Sequence, residues 1–465
     1  MKNYTKNKID STINLRKKFL IESGKILKLS LPILIAQIGV VATGFLDTMM
    51  AGNFHDDALA GVAIGSSFCF PLILATNGFL MAVTPITAQL AGADKYQKIG
   101  VYIRNALVLG LICALVITLL VNQVSPILKL MKLSPQVTKI VKDYITGISY
   151  GFPAVAIYFA LKSFTEGIGK TKPQMFIAVI AVTFNYFAND ILIHGKYGFP
   201  VLGGAGCGWA SAITFWIFLI FMLMFVSVDK TCRKCNVFSN ITLPSFSITK
   251  ELIKLGLPIG GTIFMECSIF ACITLFIGVL GPVIVDSHQI ALNFSGIIFS
   301  LPLSISMALT IRTGFEIGAG NPGKARFSSI TGTVLAVLFS FLTMLFTFVF
   351  PEFIAGIYTK NDEIIKIAAS LLVTGALYQF SDSIMITAQG SLRGYKDAKM
   401  TMFLTFLAYW TITLPLGYTL SMTDLIIPRL GAKGFWISLI VGLSISGILL
   451  SFRLNKVSLH FLKKS

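Results

Sequence analysis

Three carboxylates lie inside apolar stretches of this chain: Asp47 in FLDTMMAG, Glu266 in GGTIFMECSIF and Asp382 in LLVTGALYQFSDSIMITAQGSLRGY. On insertion scales an Asp near the centre of a membrane-spanning helix costs roughly 2.5 to 3.5 kcal/mol, so an acid kept there tends to face a cavity or a partner and to mark a transport path. Tyr378 precedes Asp382 by four residues, which in a helix sets both on one face. A desolvated carboxylate either takes a proton or holds a cation among oxygen ligands, and either event cancels its charge. Asn185 and Asn189, in NYFAN, stand at i and i+4, so their side-chain oxygens can converge on Asp47, and Ser211 can add a hydroxyl. Polar residues also bridge membrane helices, at about 0.6 to 2 kcal/mol each, and that is the competing use of the asparagines.

The elements that position these acids must be membrane helices. The chain has 465 residues, 55% of them hydrophobic and 12% charged, with a mean hydropathy of +0.81, outside the range of a water-soluble domain. Apolar stretches of spanning length recur at 27–51, 58–88, 101–122, 137–161, 172–194, 204–228, 251–279, 286–316, 327–350, 364–390, 398–421 and 432–453. They are too long for barrel strands and lack alternating patterning, so an all-α polytopic bundle of twelve helices is expected. The net charge of +18 does not point to nucleic acid. Most Lys and Arg cluster at one set of helix ends, in Lys2 to Lys28, Lys95 to Arg104, Lys162 to Lys172, Lys230 to Lys254, Arg312 to Arg326, Arg393 to Lys399 and Arg453 to Lys464. The positive-inside rule then sets both termini in the cytoplasm of a plasma or bacterial inner membrane. No basic residue falls deep inside a span on this reading, so the three acids lack an obvious ion-pair partner. The polar leader and the long first apolar run do not fit a cleavable signal peptide.

The second half of the chain repeats the first. Leu31-Pro32 recurs as Leu257-Pro258, Ala91-Gly92 as Ala319-Gly320, Gly169 as Gly394, and LGGAGCGW at 202–209 as RLGAKGFW at 429–436. A series at an offset of about 226 argues for a duplicated six-helix unit. Because each unit has an even number of helices, the repeat is parallel, with a pseudo-twofold axis along the membrane normal. The expected organisation is a tail at 1–26, disordered or lying on the surface, a first lobe at 27–228, a linker at 229–250, a second lobe at 251–453 and a tail at 454–465. Two lobes joined by one linker can rock between inward-open and outward-open states, with a substrate site near midplane.

Five motifs, GFLDTMMAG, EGIGKTKP, LGGAGCGW, LPIGGTIFME and GSLRGYKD, resemble the multidrug and toxic compound extrusion (MATE) family, in particular its NorM-type branch, in order and spacing from about Lys28 to Arg453. The resemblance implies a secondary active exporter of cationic, amphipathic drugs, driven by inward flow of Na⁺ or H⁺. It assigns Glu266 and Asp382, with Tyr378, to the cation-coupling site of the second lobe, and matches Asp47 to the acid of the first helix, where Asn185, Asn189 and Ser211 complete a coupling or substrate site. No cofactor beyond the coupling ion is expected, and a monomer in the lipid bilayer is. Flat cations would favour aromatic and Met lining, for which Phe45, Met49, Met50, Phe264, Met265, Phe270 and Phe380 neighbour the acids in sequence.

The remaining signals are weak. GKT at 169–171 lacks the earlier glycine of a phosphate loop, a position held by Phe164, and CRKC at 232–235 has no second cysteine pair. NIT at 240–242 is a glycosylation triplet in a loop read as cytoplasmic, the four His show no metal-ligand spacing, and Asp190, Asp286 and Glu316 fall near helix ends, where water can solvate them. Without HExxH or GxSxG nothing supports an intramembrane enzyme. A relative that flips a lipid-linked sugar or exports a metabolite is the alternative within transport, but a flippase should carry a cationic cavity for pyrophosphate. A receptor or channel explains the repeat less well.

Overall fold

The computed structural model describes residues 2–131, 133–238, 244–425 and 427–464, with side chains described from Leu15 onward. NIT at 240–242 lies outside the described residues. The chain runs through α1 (Lys2–Phe54), α2 (Asp56–Leu80), α3 (Val83–Gly92), α4 (Tyr96–Asn122), α5 (Ser125–Leu130), α6 (Pro135–Ser149), α7 (Phe152–Gly167), α8 (Lys172–His194) and α9 (Gly204–Val228). It continues through α10 (Lys230–Lys234), α11 (Phe246–Gly278), α12 (Pro282–Gly318), α13 (Pro322–Val349), α14 (Pro351–Tyr358), α15 (Asp362–Gly394), α16 (Ala398–Phe406), α17 (Leu414–Met422) and α18 (Ala432–Lys464). No strand occurs among the described residues. Among the described residues eleven segments are long and apolar enough to span a membrane, and α6 with α7, bent by 47° at Tyr150-Gly151, makes a twelfth if the bent pair is counted as one span. Helices are the form that satisfies every backbone group within its own segment, which apolar runs of this length require.

Local chemistry sets the helix ends. Asn361 caps α15 through hydrogen bonds from the Glu363 and Ile364 amides at 3.0 and 3.4 Å, and Asp362 and Glu363 favour the positive end of the helix dipole. Ser134 caps α6 through the Val137 amide at 3.2 Å, followed by Pro135 in the first turn. Between α16 and α17 the backbone loosens into a π-helical segment at Leu407–Thr413.

The chain divides into two compact units, one of residues 1–34 with 265–465 and the other of 35–264. Trp436, Phe435, Leu371 and Ile273 belong to the apolar core of the first, and Tyr144, Phe152, Val62 and Ile193 to that of the second.

The repeat is written in the backbone as well as in the sequence. α3 ends with Asp94 N–H bonded to Ala91 O and Lys95 N–H to Leu90 O, and α12 ends with Gly320 N–H on Ile317 O and Asn321 N–H on Glu316 O. α7 and α15 close the same way, through Gly169 and Lys170 and through Lys396 and Asp397. Each is a Schellman cap, which needs one residue in the left-handed region. That residue is Asp94 (φ +58°), Gly320 (φ +73°), Gly169 (φ +78°) or Lys396 (φ +62°). The structural equivalents are therefore Asp94 with Gly320 and Gly169 with Lys396, two residues away from the pairings made on glycine identity. Glycine misled there because two jobs favour it. Gly394 is needed for close approach instead, since a Cβ would meet the Thr313 hydroxyl, and its counterpart is Gly167 against Thr87. Likewise Gly203 (φ +56°) pairs with Gly431 (φ +57°), one residue off the alignment of the two tryptophans.

The stretch before Lys28 is also more ordered than expected. Among its described side chains Ile26 and Glu22 are buried. Glu22 Oε1 accepts from Arg312 Nε at 2.9 Å, Arg312 Nη2 at 2.7 Å and Ser328 Oγ at 2.5 Å. Arg312 Nη2 also donates to Glu316 Oε1 at 2.9 Å. Glu316 is thus buried in an ion-pair network rather than solvated, because its helix end is covered by α1 and α13.

Candidate functional site

Each unit holds an acid site assembled wholly from its own residues. In the second unit, α1 presents Asp47, buried, to α8 and α9. Asp47 Oδ1 accepts from Asn189 Nδ2 at 2.6 Å and Oδ2 from Ser211 Oγ at 2.9 Å. Asn189 Nδ2 also reaches Asn185 Oδ1 at 3.2 Å, as the i, i+4 spacing requires. The three helices thus bring together all four residues predicted for this site. Asn185 also lies within reach of Asp47, although its Nδ2 and the Asn189 Oδ1 are buried and make no hydrogen bond of good geometry. A spare donor beside a spare acceptor is where a water or ligand gains most, since unmade buried hydrogen bonds cost about 1 to 3 kcal/mol.

In the first unit α11 presents Glu266 and α15 presents Tyr378, Asp382, Gln389 and Arg393 from one helical face. Asp382 and Tyr378 are buried and Glu266 half-buried. Asp382 lies close enough to Glu266 to feel its charge, and Tyr378 is bonded to Ser295 and feels Asp382. Gln389 Nε2 donates to Glu266 Oε1 at 2.7 Å and lies 3.4 Å from Thr405 Oγ1. Arg393 Nη2 in turn lies 3.5 Å from Gln389 Oε1, and its charge reaches Glu266. Tyr409, from the π-helical segment, sits within the field of both acids and donates to Met385 Sδ at 3.6 Å. π-Helical turns often occur at functional sites because they re-aim a side chain. Below Tyr378 lies Trp436, whose Nε1 donates to His288 Nδ1 at 3.3 Å, so His288 carries its proton on Nε2 and turns it to Thr274 Oγ1 at 3.1 Å. His288 is thus a satisfied core residue.

Three expectations change here. Arg393, read as a surface charge, is buried beside Glu266, so one acid does have a cationic neighbour, through Gln389. Lys162 likewise turns inward to a buried acid that the sequence reading passed over, with its Nζ 3.9 Å from Glu166 Oε1. Phe380 neighbours Asp382 in sequence but points to the opposite face of α15, and Met50 is packed in a core, while Phe45 and Phe264 are exposed. Gln389, Thr405 and Tyr409 were missed, yet Gln389 stands seven residues after Asp382, which is two helical turns along the same face. Cys232 and Cys235 are buried, and burial pushes both thiols up, that of Cys235 to about 12, so neither is poised to ligate or react. No cluster of three or more His, Cys, Asp or Glu with metal-ligand geometry occurs among the described residues.

A multi-pass helical membrane protein with a duplicated backbone and charged groups inside each unit is in the class of membrane transporters. The chain belongs to the MatE family, the multidrug and toxic compound extrusion transporters, whose model matches residues 32–191 and again 258–419. Those two matches begin 226 and end 228 residues apart, spanning the offsets of the Schellman caps. It is 39% identical to multidrug resistance protein NorM of Photobacterium profundum over 93% of this chain and 95% of that one. It is 37% identical to multidrug resistance protein MdtK of Yersinia pseudotuberculosis over 94% of this chain and 96% of that one. Among solved structures it shares its fold with the eukaryotic MATE transporter AtDTX14, at a TM-score of 0.85 and 20% identity over 96% of this chain and 99% of that one. It also matches an outward-facing MATE transporter of the MOP superfamily, at 0.84 and 18% identity over 96% and 97%.

Proposed function

We propose that this chain is a multidrug exporter that moves cationic, amphipathic compounds out of a bacterial cell by antiport against Na⁺ or H⁺. The observation that carries this reading is the charge at the first unit's site. With both acids ionised, Glu266 and Asp382 bring two negative charges under one another's influence and Arg393 brings one positive, so a single Na⁺ or proton would balance the site. Cancelling that charge changes the relative free energy of states that solvate the site differently, which is how ion binding biases a conformational equilibrium. The names of the relatives support a drug as the cargo, and the acids support a cationic one. On this reading the two lobes alternate access, the basic helix ends face the cytoplasm with both termini, and the monomer is the working unit in the inner membrane. Asp47 with Asn185, Asn189 and Ser211 is a second cation site or part of the drug path.

The test is ethidium efflux from reconstituted vesicles under an imposed Na⁺ gradient or an imposed pH gradient, for the wild type and for Glu266→Gln. Efflux driven by one gradient and lost in Glu266→Gln supports coupling at the first unit's site. Efflux that survives in Glu266→Gln moves coupling to Asp47, and no efflux under either gradient overturns the drug-export reading in favour of a flippase or metabolite exporter.

A further inference from the structure

Two adjoining grooves open along α18 on the flank of the first unit, on the far side of α15 from its acids. One, of about 570 Å³, is lined by Phe380 and Ile384 of α15 and by Ile448 and Phe452 of α18, with Ser381 and Ser444 bonded across its floor at 2.7 Å. The other, of about 240 Å³, lies between α13 and α18 and holds Arg326, Ser329 and Ser458. Ser451 and Asn455 line both, so the two form one continuous trough. Phe380 and Ile384 lie roughly opposite Tyr378, Asp382 and Gln389 on α15, with Ser381 at the edge between the two faces, so the trough is separate from the cation site. Its apolar part is open, with Phe452 70% and Ile448 55% exposed. Arg326 stands at the other end, half-buried, with Nη2 donating to Asn455 Oδ1 at 2.9 Å. Among the described residues no carboxylate pairs with it, while exposed Lys324 stands two residues before it and exposed Lys456 follows its partner Asn455.

The dimensions and the chemistry agree on one occupant. From Ser444 to Asn455 the trough follows α18 for about 16 Å at 1.5 Å per residue. That is close to half of a hydrocarbon layer about 30 Å thick, the depth of one leaflet. It is apolar towards the middle and ends in hydroxyls, an amide and an uncompensated guanidinium among lysines. Basic pockets between spanning helices at a membrane surface select anionic head groups, and arginine binds phosphate through its planar fork. We propose that this trough is a binding site for one anionic phospholipid of the leaflet at the basic helix ends, its phosphate on Arg326 and one acyl chain lying over Ile448 and Phe452. This site is independent of the transport reading, because its test measures binding alone.

The experiment is native mass spectrometry of the full chain released from bilayers of phosphatidylglycerol and phosphatidylcholine mixed in equal amounts. The wild type should retain phosphatidylglycerol over phosphatidylcholine by roughly fivefold per site, the scale of one cation at a membrane surface. Arg326→Gln should bring that ratio near one, whereas Lys433→Gln, at the opposite end of α18, should leave it unchanged. Ile448→Trp should lower retention of both lipids by filling the trough without touching its charge. Thermal unfolding of each variant establishes that it is folded. Equal retention of the two lipids by the wild type would overturn the proposal, as would an undiminished preference in folded Arg326→Gln. Displacement of the lipid by sn-glycerol 3-phosphate would assign the site to a soluble phosphate, and dimers carrying no lipid would assign the trough to a second copy of the chain.

Discussion

The two acid sites differ in how their charge is handled. Asp47 stands alone and is held by neutral donors, with one oxygen on the Asn189 amide and the other on the Ser211 hydroxyl. Glu266 and Asp382 stand together, with an amide between one of them and a buried guanidinium. Duplication did not copy one site into the other. At the offset of the Leu-Pro pairs, 226 residues, Glu266 falls opposite Val40 and Asp47 opposite Ile273. At the offset of the α7 and α15 caps, 227 residues, Asp382 falls opposite Val155. The caps themselves carry inverted charges. Glu166 occupies the place of Arg393, and Lys170 that of Asp397, each holding a partner of the other sign, Asp229 at 3.0 Å and Arg453 at 2.6 Å. The backbone kept the repeat while the charges diverged. A shared scaffold can therefore hold two acids near a buried guanidinium in one half and a single acid among neutral donors in the other.

From that contrast Asp382→Asn should reduce ethidium efflux to background at normal abundance in the membrane, the largest effect among these changes. Asp47→Asn keeps the shape and the Asn189 bond but exchanges a charged acceptor for a neutral one, so efflux should fall about thirtyfold. A loss as complete as in Asp382→Asn would erase the distinction between the sites. Gln389→Ala removes the 2.7 Å bond to Glu266 and leaves Arg393 to act at a distance. The half-saturating concentration of the coupling cation should shift about tenfold with little change in the maximal rate, and an unchanged value would show that the amide is packing only. Asn185→Ala, which removes the bond that orients Asn189 within α8, should cost about threefold in efflux, the mean scale of a side-chain hydrogen bond in a membrane bundle.

The smallest effect concerns the caps. Burial raises the Asp229 carboxyl, but Lys170 and the Thr231 and Cys232 amides outweigh it and hold Asp229 below its ordinary 3.8. A lowered folded-state value stabilises the docked turn above that range and is lost as pH falls through it. The protection of the Thr231 and Cys232 amides against exchange, taken relative to an unstructured peptide at the same pH, should therefore be constant from pH 7 to pH 5 and fall only below about 3.8. A loss of protection near neutrality would place the control elsewhere. Neutralising Lys230 or Arg233 should leave transport unchanged.

The acids were legible in the sequence because charge in an apolar run is costly and therefore conspicuous. Asn185, Asn189 and Ser211 were legible for a related reason, since a polar pair at helical spacing points one way. Gln389 and Tyr409 were not, because an amide near a helix end and one tyrosine among many aromatics carry no such cost. Arg393 was misread because hydropathy locates a span's end without showing whether a neighbouring helix covers it. The helices followed from length and hydropathy, but the register of the repeat needed backbone angles. At Asp94 and Lys396 side chains take up the left-handed turn that glycine serves in the other half.

Glu22 and its partner Arg312 lie 290 residues apart. At roughly 5 to 20 residues per second, synthesis takes about 15 to 60 seconds to pass from one to the other. For that interval the Glu22 carboxylate has only Lys25, one turn away at 3.5 Å, to answer it, and the unit it belongs to is completed only by residues 265–465. Insertion of the first helix and completion of its fold are thus separate events in the life of a newly made molecule.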